Sequence, residues 1–419
     1  MKINVEAASQ LSDQAIPLVN WLMDKGLQGA SQQDLLNGYC RRLTEMGVPL
    51  FRFYLAQRAF HPHFGGIGFS WTCDAGISQQ HYQYRATPPE EWVTSPFYFM
   101  LSNKLDEFRA RLDGSDEDQV SVFPILPELK EQGVTDYFAS GLHFDQGELV
   151  NLDPSHIPEG VLVSWSSDGP NGFVEDDLNV IRASLPFLGL ALKSSSNRQM
   201  ATDLLKVYLG RDAGTRVLSG EIQRGSSQKI DAVICYFDLN GFTSLSEQIP
   251  GPELIDMLND YFALAVATIQ EHGGNILKFM GDGMLTMFDL GSIETDAKAA
   301  LNAVKSLQTG MRNLNREREE VGLPTTGFSL ALHAGEILYG NIGAENRLDF
   351  TVIGPTVNVA ARISGMHRAV GQSVIMSEEV QRAAQPTSHD IVSLGRYMVR
   401  GVGAPLELFT IYEPPQIAA

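Results

Sequence analysis

The sequence predicts an α+β protein with two folded regions and a linker between them. Its 419 residues are enough for two or three domains. The N-terminal part alternates short β-rich runs with helical ones. The C-terminal part reads strand, helix, strand, strand, helix, strand, which is the ferredoxin-like pattern of helices on an antiparallel sheet. We expect a first region at 1–194, a helical linker at 195–228 and a second region at 229–415.

In the first region, helical spacing and β-rich runs follow one another closely. The predicted helices are Ala15–Lys25, Ser31–Glu45, Pro127–Gln132 and one that starts near Glu175. The predicted strands are Leu50–Ala56, Ile67–Cys73, His81–Ala86, Gln119–Phe123, Tyr137–His143, Glu148–Asn151 and Gly160–Ser166. An antiparallel sheet with flanking helices and a long last helix resembles a GAF-like sensor domain, and a PAS-like sheet is the alternative.

The helix that starts near Glu175 carries an apolar stripe with steps of three and four residues. The stripe consists of Leu178, Ile181, Leu185, Leu188 and Leu192. This spacing suits a coiled coil, and it equally suits one helix packed on its own sheet. Pro186 predicts a kink within the stripe. Met200–Tyr208 continue the helical spacing through the linker, and Gly210 predicts the end of the helix.

The second region has clearer boundaries. The predicted strands are Ala232–Asp238, Asn275–Phe279, Met284–Phe288, Phe328–His333 and Asp349–Ile353. The predicted helices are Pro252–His272, Glu294–Val321 and one whose first residue is Pro355. The glycines at 273 and 274 predict the end of the first of these helices.

Two aspartates stand where predicted strands end. Asp238 closes an apolar run, and Asp282 lies between Gly281 and Gly283 at the tip of a predicted hairpin. Two carboxylates on neighbouring strands are what a pair of divalent cations needs to hold a nucleoside triphosphate. Either aspartate alone also suits an ordinary turn.

Asn358 and Arg362 follow Pro355 and lie four residues apart, so they share one face of the predicted helix. The guanidinium of Arg362 suits phosphate oxygens, and Asn358 adds a neutral amide. Taken alone, the pair also suits the polar face of a surface helix.

Together these segments resemble the class III nucleotidyl cyclases, the adenylate and guanylate cyclases, from about Lys229 to about Tyr412. The similar motifs are Phe237–Thr243, Lys278–Asp282, His333–Gly343 and Asp349–Arg362, in the order that the family has them. The resemblance implies a palm-like core and a homodimer with shared active sites. It also implies that Asp238 and Asp282 bind two Mg²⁺ or Mn²⁺ ions.

The same resemblance implies that Lys278 and Thr351 select the base and that Asn358 and Arg362 act on the ribose and the transition state. Arg400 falls where the family often has a phosphate-binding lysine. Thr351 marks a subgroup with some bicarbonate-responsive members. At position 355 this chain has a proline, whereas the family often has Asp or Asn at the corresponding position.

The expected activity is that of an adenylate cyclase, which converts ATP to 3′,5′-cyclic AMP and pyrophosphate under control of the N-terminal region. Lys278 offers only donors, which suits adenine N1, whereas guanine N1 carries a hydrogen and needs an acceptor. The alternatives are a guanylate cyclase, a diguanylate cyclase and a non-catalytic nucleotide-binding module. The Gly-Gly-Asp/Glu-Glu-Phe hairpin of diguanylate cyclases is absent from Met280–Met284.

The amino-acid composition excludes several classes of binding partner and structural site. A net charge of −19 argues against nucleic acid and anionic membranes as partners. The three cysteines, Cys40, Cys73 and Cys235, are too scattered for a disulfide framework or a zinc motif. No apolar run approaches the roughly 20 residues that cross a bilayer. We therefore expect a cytoplasmic protein whose N-terminal region binds an unknown ligand.

Overall fold

The computed structural model describes residues 14–114, 121–144 and 159–412, and the chain divides into two units, Met1–Leu204 and Leu205–Ala419. The division falls inside the segment 195–228 that was predicted as a linker. It also falls within one continuous helix, because the helix that starts at Glu175 runs to Leu209.

The N-terminal unit contains one antiparallel sheet. Its strands are β1 (Leu50–His61), β2 (Phe64–Thr72), β3 (Gly76–Gln83), β4 (Glu107–Arg111), β5 (Asp136–His143) and β6 (Gly160–Ser167). They lie in the order β3-β2-β1-β6-β5-β4, and every neighbouring pair is antiparallel. The helices are α1 (Ile16–Leu27), α2 (Gln32–Glu45), α3 (Glu90–Val93), α4 (Pro96–Asn103), α5 (Ile125–Glu131) and α6 (Glu175–Leu209).

Alternate strand residues of this sheet belong to two different apolar clusters. Phe53 and Leu55 of β1 pack with α1, α2 and α6, whereas Ala56 packs with α4 and α5. Successive side chains of a strand point to opposite faces, so helices cover both faces of the sheet. The prediction of an antiparallel sheet with flanking helices is confirmed.

Several predicted boundaries in this unit are wrong. The strand predicted at His81–Ala86 is β3, Gly76–Gln83, and Ser121–Phe123 form a turn, not a strand. The predicted strand Glu148–Asn151 and the first two residues of Gln119–Phe123 lie outside the described residues. The strand β4 and the helices α3 and α4 were not predicted.

The apolar stripe of α6 is part of the core of its own unit. All five residues, Leu178, Ile181, Leu185, Leu188 and Leu192, are buried in the cluster that includes β1, β2, β5 and β6. The stripe therefore packs on its own sheet and is not a free coiled-coil surface. The helix continues through Pro186 and ends before Gly210, whose φ is +87°.

The C-terminal unit contains the second sheet. Its strands are β7 (Ser227–Leu239), β8 (Asn275–Met280), β9 (Gly283–Phe288), β10 (Phe328–Ala344), β11 (Arg347–Ile353), β12 (Val374–Ser377), β13 (Ile391–Tyr397) and β14 (Leu406–Ile411). The helices are α7 (Arg211–Leu218), α8 (Phe242–Gln248), α9 (Gly251–Glu271), α10 (Ile293–Glu320), α11 (Pro355–Ser364), α12 (His367–Val370) and α13 (Glu378–Ala383).

The predicted βαββαβ unit is β7-α9-β8-β9-α10-β10, and its strands lie in the order β10-β7-β9-β8. The sheet continues from β10 through β12 and β14 to β13, while β11 pairs with the far end of β10. Apolar residues of α9 and α10 pack on one face, and those of α7 and α11 belong to a cluster on the other. The ferredoxin-like prediction for this unit is confirmed.

Within the described ranges, none of the helices combines the length and apolar character that a bilayer crossing requires.

Candidate active site

The backbone fixes Asp282 next to Asp238. Asp238 is the last residue but one of β7 and pairs with Gly283 across the β7–β9 ladder. The amide of Leu239 donates to the carbonyl oxygen of Asp282 at 3.1 Å. The two predicted metal ligands therefore lie close together at the same end of the sheet, Asp238 on β7 and Asp282 in the turn between β8 and β9.

Two glycines make this arrangement feasible. Gly281 takes the first turn position of the β8–β9 hairpin with a φ of +70°, the sign that type I′ and II′ turns need there. A Cβ on Gly283 would lie 2.6 Å from the carbonyl oxygen of Phe237 and 2.8 Å from Oδ1 of Asp238. Gly283 thus lets the hairpin approach the end of β7 closely, a second function for a residue that the sequence identified only as a turn former.

The two carboxylates repel each other. Burial raises the pKa of Asp238 above its ordinary value, and the negative charge of Asp282 raises it further. A divalent cation between them would relieve this repulsion, and carboxylate oxygens are the ligands that Mg²⁺ and Mn²⁺ prefer. The pair therefore fits the predicted metals. No group of three His, Cys, Asp or Glu side chains with metal-site geometry occurs among the described residues. Mg²⁺ commonly completes its coordination with water and substrate phosphates.

Lys278 lies on β8 and reaches β11. Its Nζ donates to Oδ2 of Asp349 at 3.2 Å. Asp349 and Thr351 are two residues apart on β11, so their side chains share one face of that strand. The structure thus brings Lys278 to the strand that carries Thr351, the second predicted base-selecting residue, and adds Asp349, which the sequence analysis did not single out.

Asn358 and Arg362 lie on the exposed face of α11, as predicted from their spacing. The opposite face buries Val357, Ala360 and Ile363 against the sheet, which fixes the helix. Gly354 is its N-cap and Pro355 its first residue. The helix therefore starts normally although this chain has Pro355 where the cyclase family often has Asp or Asn.

The loop between β13 and β14 contacts the end of α11. Nη1 of Arg362 donates to the backbone carbonyl of Arg400. The side chain of Arg400 is exposed, so its predicted contact with substrate phosphates stays a prediction. The site residues thus form three groups: the carboxylate pair, the Lys278–β11 group, and the α11 face with Arg400.

A comparison with known protein families found a match in the C-terminal unit. Residues 226–412 match the model of the adenylate and guanylate cyclase catalytic domain. Residues 226–412 are therefore similar to a class III cyclase catalytic domain, and they are called the cyclase domain below. The matched range agrees with the resemblance predicted from about Lys229 to about Tyr412. The match leaves out the N-terminal unit, so the GAF-like resemblance stays a prediction.

Relatives of the cyclase domain include named enzymes. The adenylate cyclase of Anabaena cylindrica is 30% identical over 217 residues, which are 49% of this chain and 42% of that protein. Adenylate cyclase 1 of Rhizobium meliloti is 28% identical over 197 residues, which are 46% of this chain and 29% of that protein. The chain thus spans less than half the length of these relatives.

Solved structures similar to the cyclase domain include the adenylyl cyclase CyaB from P. aeruginosa. It is 24% identical with a TM-score of 0.42, and the match covers 46% of this chain and 100% of that one. The guanylyl cyclase Cya2 is 29% identical with a TM-score of 0.40, and the match covers 45% of this chain and 97% of that one.

Proposed function

We propose that this protein is an adenylate cyclase that converts ATP to 3′,5′-cyclic AMP and pyrophosphate. The observation that carries the proposal is the position of Lys278, whose ammonium group reaches the strand that holds Thr351. The ammonium offers donors only and suits adenine N1, and the threonine hydroxyl can accept from the 6-amino group. Guanine presents a donor at N1, so this combination favours ATP over GTP.

The reaction needs positioning and electrostatic stabilisation more than covalent chemistry. The ribose 3′-oxygen attacks the α-phosphorus and pyrophosphate leaves in line, with charge developing on the phosphoryl oxygens. Asp238 and Asp282 would hold two divalent cations, Mg²⁺ or Mn²⁺. When bound, these ions supply Lewis acidity that favours ionisation of the 3′-hydroxyl and neutralises the triphosphate. The two aspartates would hold that charge at the end of β7.

Arg362 would stabilise the transition state from α11. A guanidinium has five N–H donors, so the bond from Nη1 to the Arg400 carbonyl orients the group and leaves other donors for phosphate oxygens. Asn358 lies one turn earlier on the same exposed face, where its amide would orient the ribose. The exposed guanidinium of Arg400 would add a further phosphate contact.

A product assay tests the proposed function. Purified protein is incubated with ATP or GTP and Mn²⁺, and the products are identified by mass. We expect cyclic AMP and pyrophosphate, with GTP used at least about tenfold less efficiently, since one mismatched charged hydrogen bond has that effect. An equal or faster rate with GTP would indicate a guanylate cyclase. Nucleotide binding without a cyclic product would indicate a non-catalytic module, and cyclic diguanylate would indicate a diguanylate cyclase.

We further propose that the N-terminal unit regulates a homodimeric cyclase and takes no part in the chemistry. All seven candidate site residues, from Asp238 to Arg400, lie in the C-terminal unit. The helix α6 extends across the division between the units, which gives a covalent route for a signal. The ligand of the N-terminal unit would then change the rate of the cyclase without touching ATP.

A fragment that spans Leu205–Ala419 tests this regulatory proposal. We expect it to retain Mn²⁺-dependent formation of cyclic AMP, at a basal rate different from that of the full chain. Size-exclusion chromatography and circular dichroism establish that the fragment is dimeric and folded. A folded, dimeric fragment without activity would contradict the proposal, because the N-terminal unit would then contribute to the site. Identical basal rates would argue against regulation by the N-terminal unit.

A further inference from the structure

We propose that Asp349 is a positioning residue that directs Lys278 at the base and makes the site selective for adenine. This inference rests on the adenylate cyclase function proposed above and names an additional residue in it. It starts from the ion pair between Nζ of Lys278 and Oδ2 of Asp349, 3.2 Å apart.

The two residues come from strands that share no backbone ladder. Among the described strands, β8 pairs with β9 alone and forms one end of the sheet, whereas β11 pairs with β10. The ion pair therefore bridges two separately held strands. Nearby, Leu277 of β8 belongs to the same buried apolar cluster as Phe350 and Val352 of β11. This packing holds the backbones of the two partners at a fixed separation.

The register of β8 is irregular at this point. Ile276 pairs with Thr286 and Lys278 pairs with Leu285, so two steps on β8 correspond to one step on β9. Such a bulge changes the direction of the side chains next to it. Because Asp349 and Thr351 share one face of β11, a lysine aimed at Asp349 is also aimed at the face that carries Thr351.

The pair contributes little to the stability of the fold. The side chains of Lys278 and Asp349 are 41% and 55% exposed, and exposed ion pairs are weak and screened by salt. Replacing the carboxylate should therefore leave the domain folded. The substitution should instead weaken the binding of the nucleotide base, because an oriented charge contributes more in a partly desolvated site than in water.

The chemistry of the pair favours adenine in two ways. An ammonium group has three N–H donors, so one can bind Asp349 while another reaches adenine N1. Without Lys278, the Asp349 carboxylate would be an acceptor for N1–H and the 2-amino group of guanine. Because Lys278 donates to the Asp349 carboxylate, that carboxylate is not available as the acceptor that guanine needs. The ammonium group of the pair still offers a donor to adenine.

The test is the variant Asp349→Asn, which keeps the size of the side chain and removes its charge. We expect kcat/KM for ATP to fall roughly ten- to a hundredfold, as for loss of a hydrogen bond to a charged group. The rate with GTP should fall less, so the preference for ATP over GTP decreases. Asp349→Glu, which restores the charge, should recover part of this preference.

A matched control comes from another exposed ion pair of the same sheet. Nζ of Lys229 on β7 lies 2.8 Å from Oε1 of Glu336 on β10, with side chains 68% and 60% exposed. Glu336→Gln removes one charge from this pair, and we expect unchanged kinetics with both nucleotides. Thermal unfolding of both variants checks that the fold is retained.

The double variant Lys278→Met with Asp349→Asn separates the two effects. Lys278→Met alone should shift the preference towards GTP because it frees the Asp349 carboxylate, and adding Asp349→Asn should abolish that shift. Equal losses with ATP and GTP in Asp349→Asn would overturn the inference, as would a Lys278→Met variant that keeps its preference for ATP.

A binding measurement keeps this inference separate from the proposed function. Calorimetric titration with ATP and with GTP reports base preference without turnover. If the native chain forms no cyclic product, the cyclase proposal fails, but a native preference for ATP that Asp349→Asn reduces still supports the role of Asp349. Equal affinity of the native chain for the two nucleotides would overturn it.

Discussion

Replacing Asp238 or Asp282 with asparagine should lower turnover by at least about a thousandfold at saturating Mn²⁺, because the loss of several kcal/mol of charge stabilisation has that effect on a rate. Asparagine keeps the shape of the side chain but provides no negative charge for a divalent cation. The two carboxylates lie on adjacent backbone segments at the end of β7, and among the described residues no third His, Cys, Asp or Glu joins them in a metal-binding group.

The same substitutions should not weaken the fold in the absence of metal. The charge of Asp282 raises the pKa of Asp238, so the two carboxylates destabilise each other when both are ionised. Removing one charge should leave the unfolding temperature of the metal-free protein unchanged or slightly higher. A rise in unfolding temperature on adding Mn²⁺ should occur in the native chain and shrink in both variants.

The control for this experiment is Asp231→Asn on the same strand. Asp231 is exposed and pairs with Glu336 in the β7–β10 ladder, seven residues before Asp238. We expect near-native turnover and an unchanged response to Mn²⁺. Turnover close to that of the native chain in Asp238→Asn or Asp282→Asn would show that the two-metal assignment is wrong.

The sequence predicted the six elements of the βαββαβ core of the C-terminal unit because their periodicity is strong. It ended β10 at His333 instead of Ala344, and it gave no positions for β12, β13 and β14. Strand β7 is apolar from Ala232 to Phe237, α9 ends shortly before two glycines, and α11 begins at a proline. Each of these signals is local, so it can be recognised without knowing the fold. The strand order then follows from the βαββαβ pattern.

The N-terminal unit was harder because its edge strands lack an apolar signal. Strand β4 contains Glu107, Arg109 and Arg111, and strand β3 is largely polar. Both are at the edges of the sheet, where charged and polar side chains are common. The stripe of α6 shows a related limit, since periodicity alone cannot tell whether a helix packs on a sheet or on another helix.

In the candidate site, too, features set by short sequence segments could be predicted, whereas contacts between residues far apart in the sequence could not. The turn that carries Asp282 and the spacing of Asn358 and Arg362 could be predicted from short segments. The pairing of Lys278 with Asp349 could not, because the two residues are 71 positions apart and on strands without a common ladder. The register shift of β8 and the apolar cluster that β8 shares with β11 depend on the tertiary fold, and no local sequence signal predicts them.

If the active sites are shared between the protomers of a homodimer, mixing two inactive variants should restore cyclase activity. In the proposed arrangement, each site takes Asp238 and Asp282 from one protomer and Arg362 from the other. Asp238→Ala and Arg362→Ala should each be inactive alone. In a heterodimer of the two, one site carries both defects and the other carries none, because two-fold symmetry makes the sites equivalent.

The expected recovery is about a quarter of the native specific activity. Random exchange at equal concentrations makes about half of the dimers heterodimers, and each has one of two sites intact. The control mixes Asp238→Ala with Asp282→Ala: both carboxylates come from the same protomer, so each site of that heterodimer keeps one defect and no activity should return. A site built within one protomer predicts no recovery from either mixture. If native mass spectrometry shows heterodimers and the first mixture stays inactive, the sites are either not shared or cannot work unless both are intact.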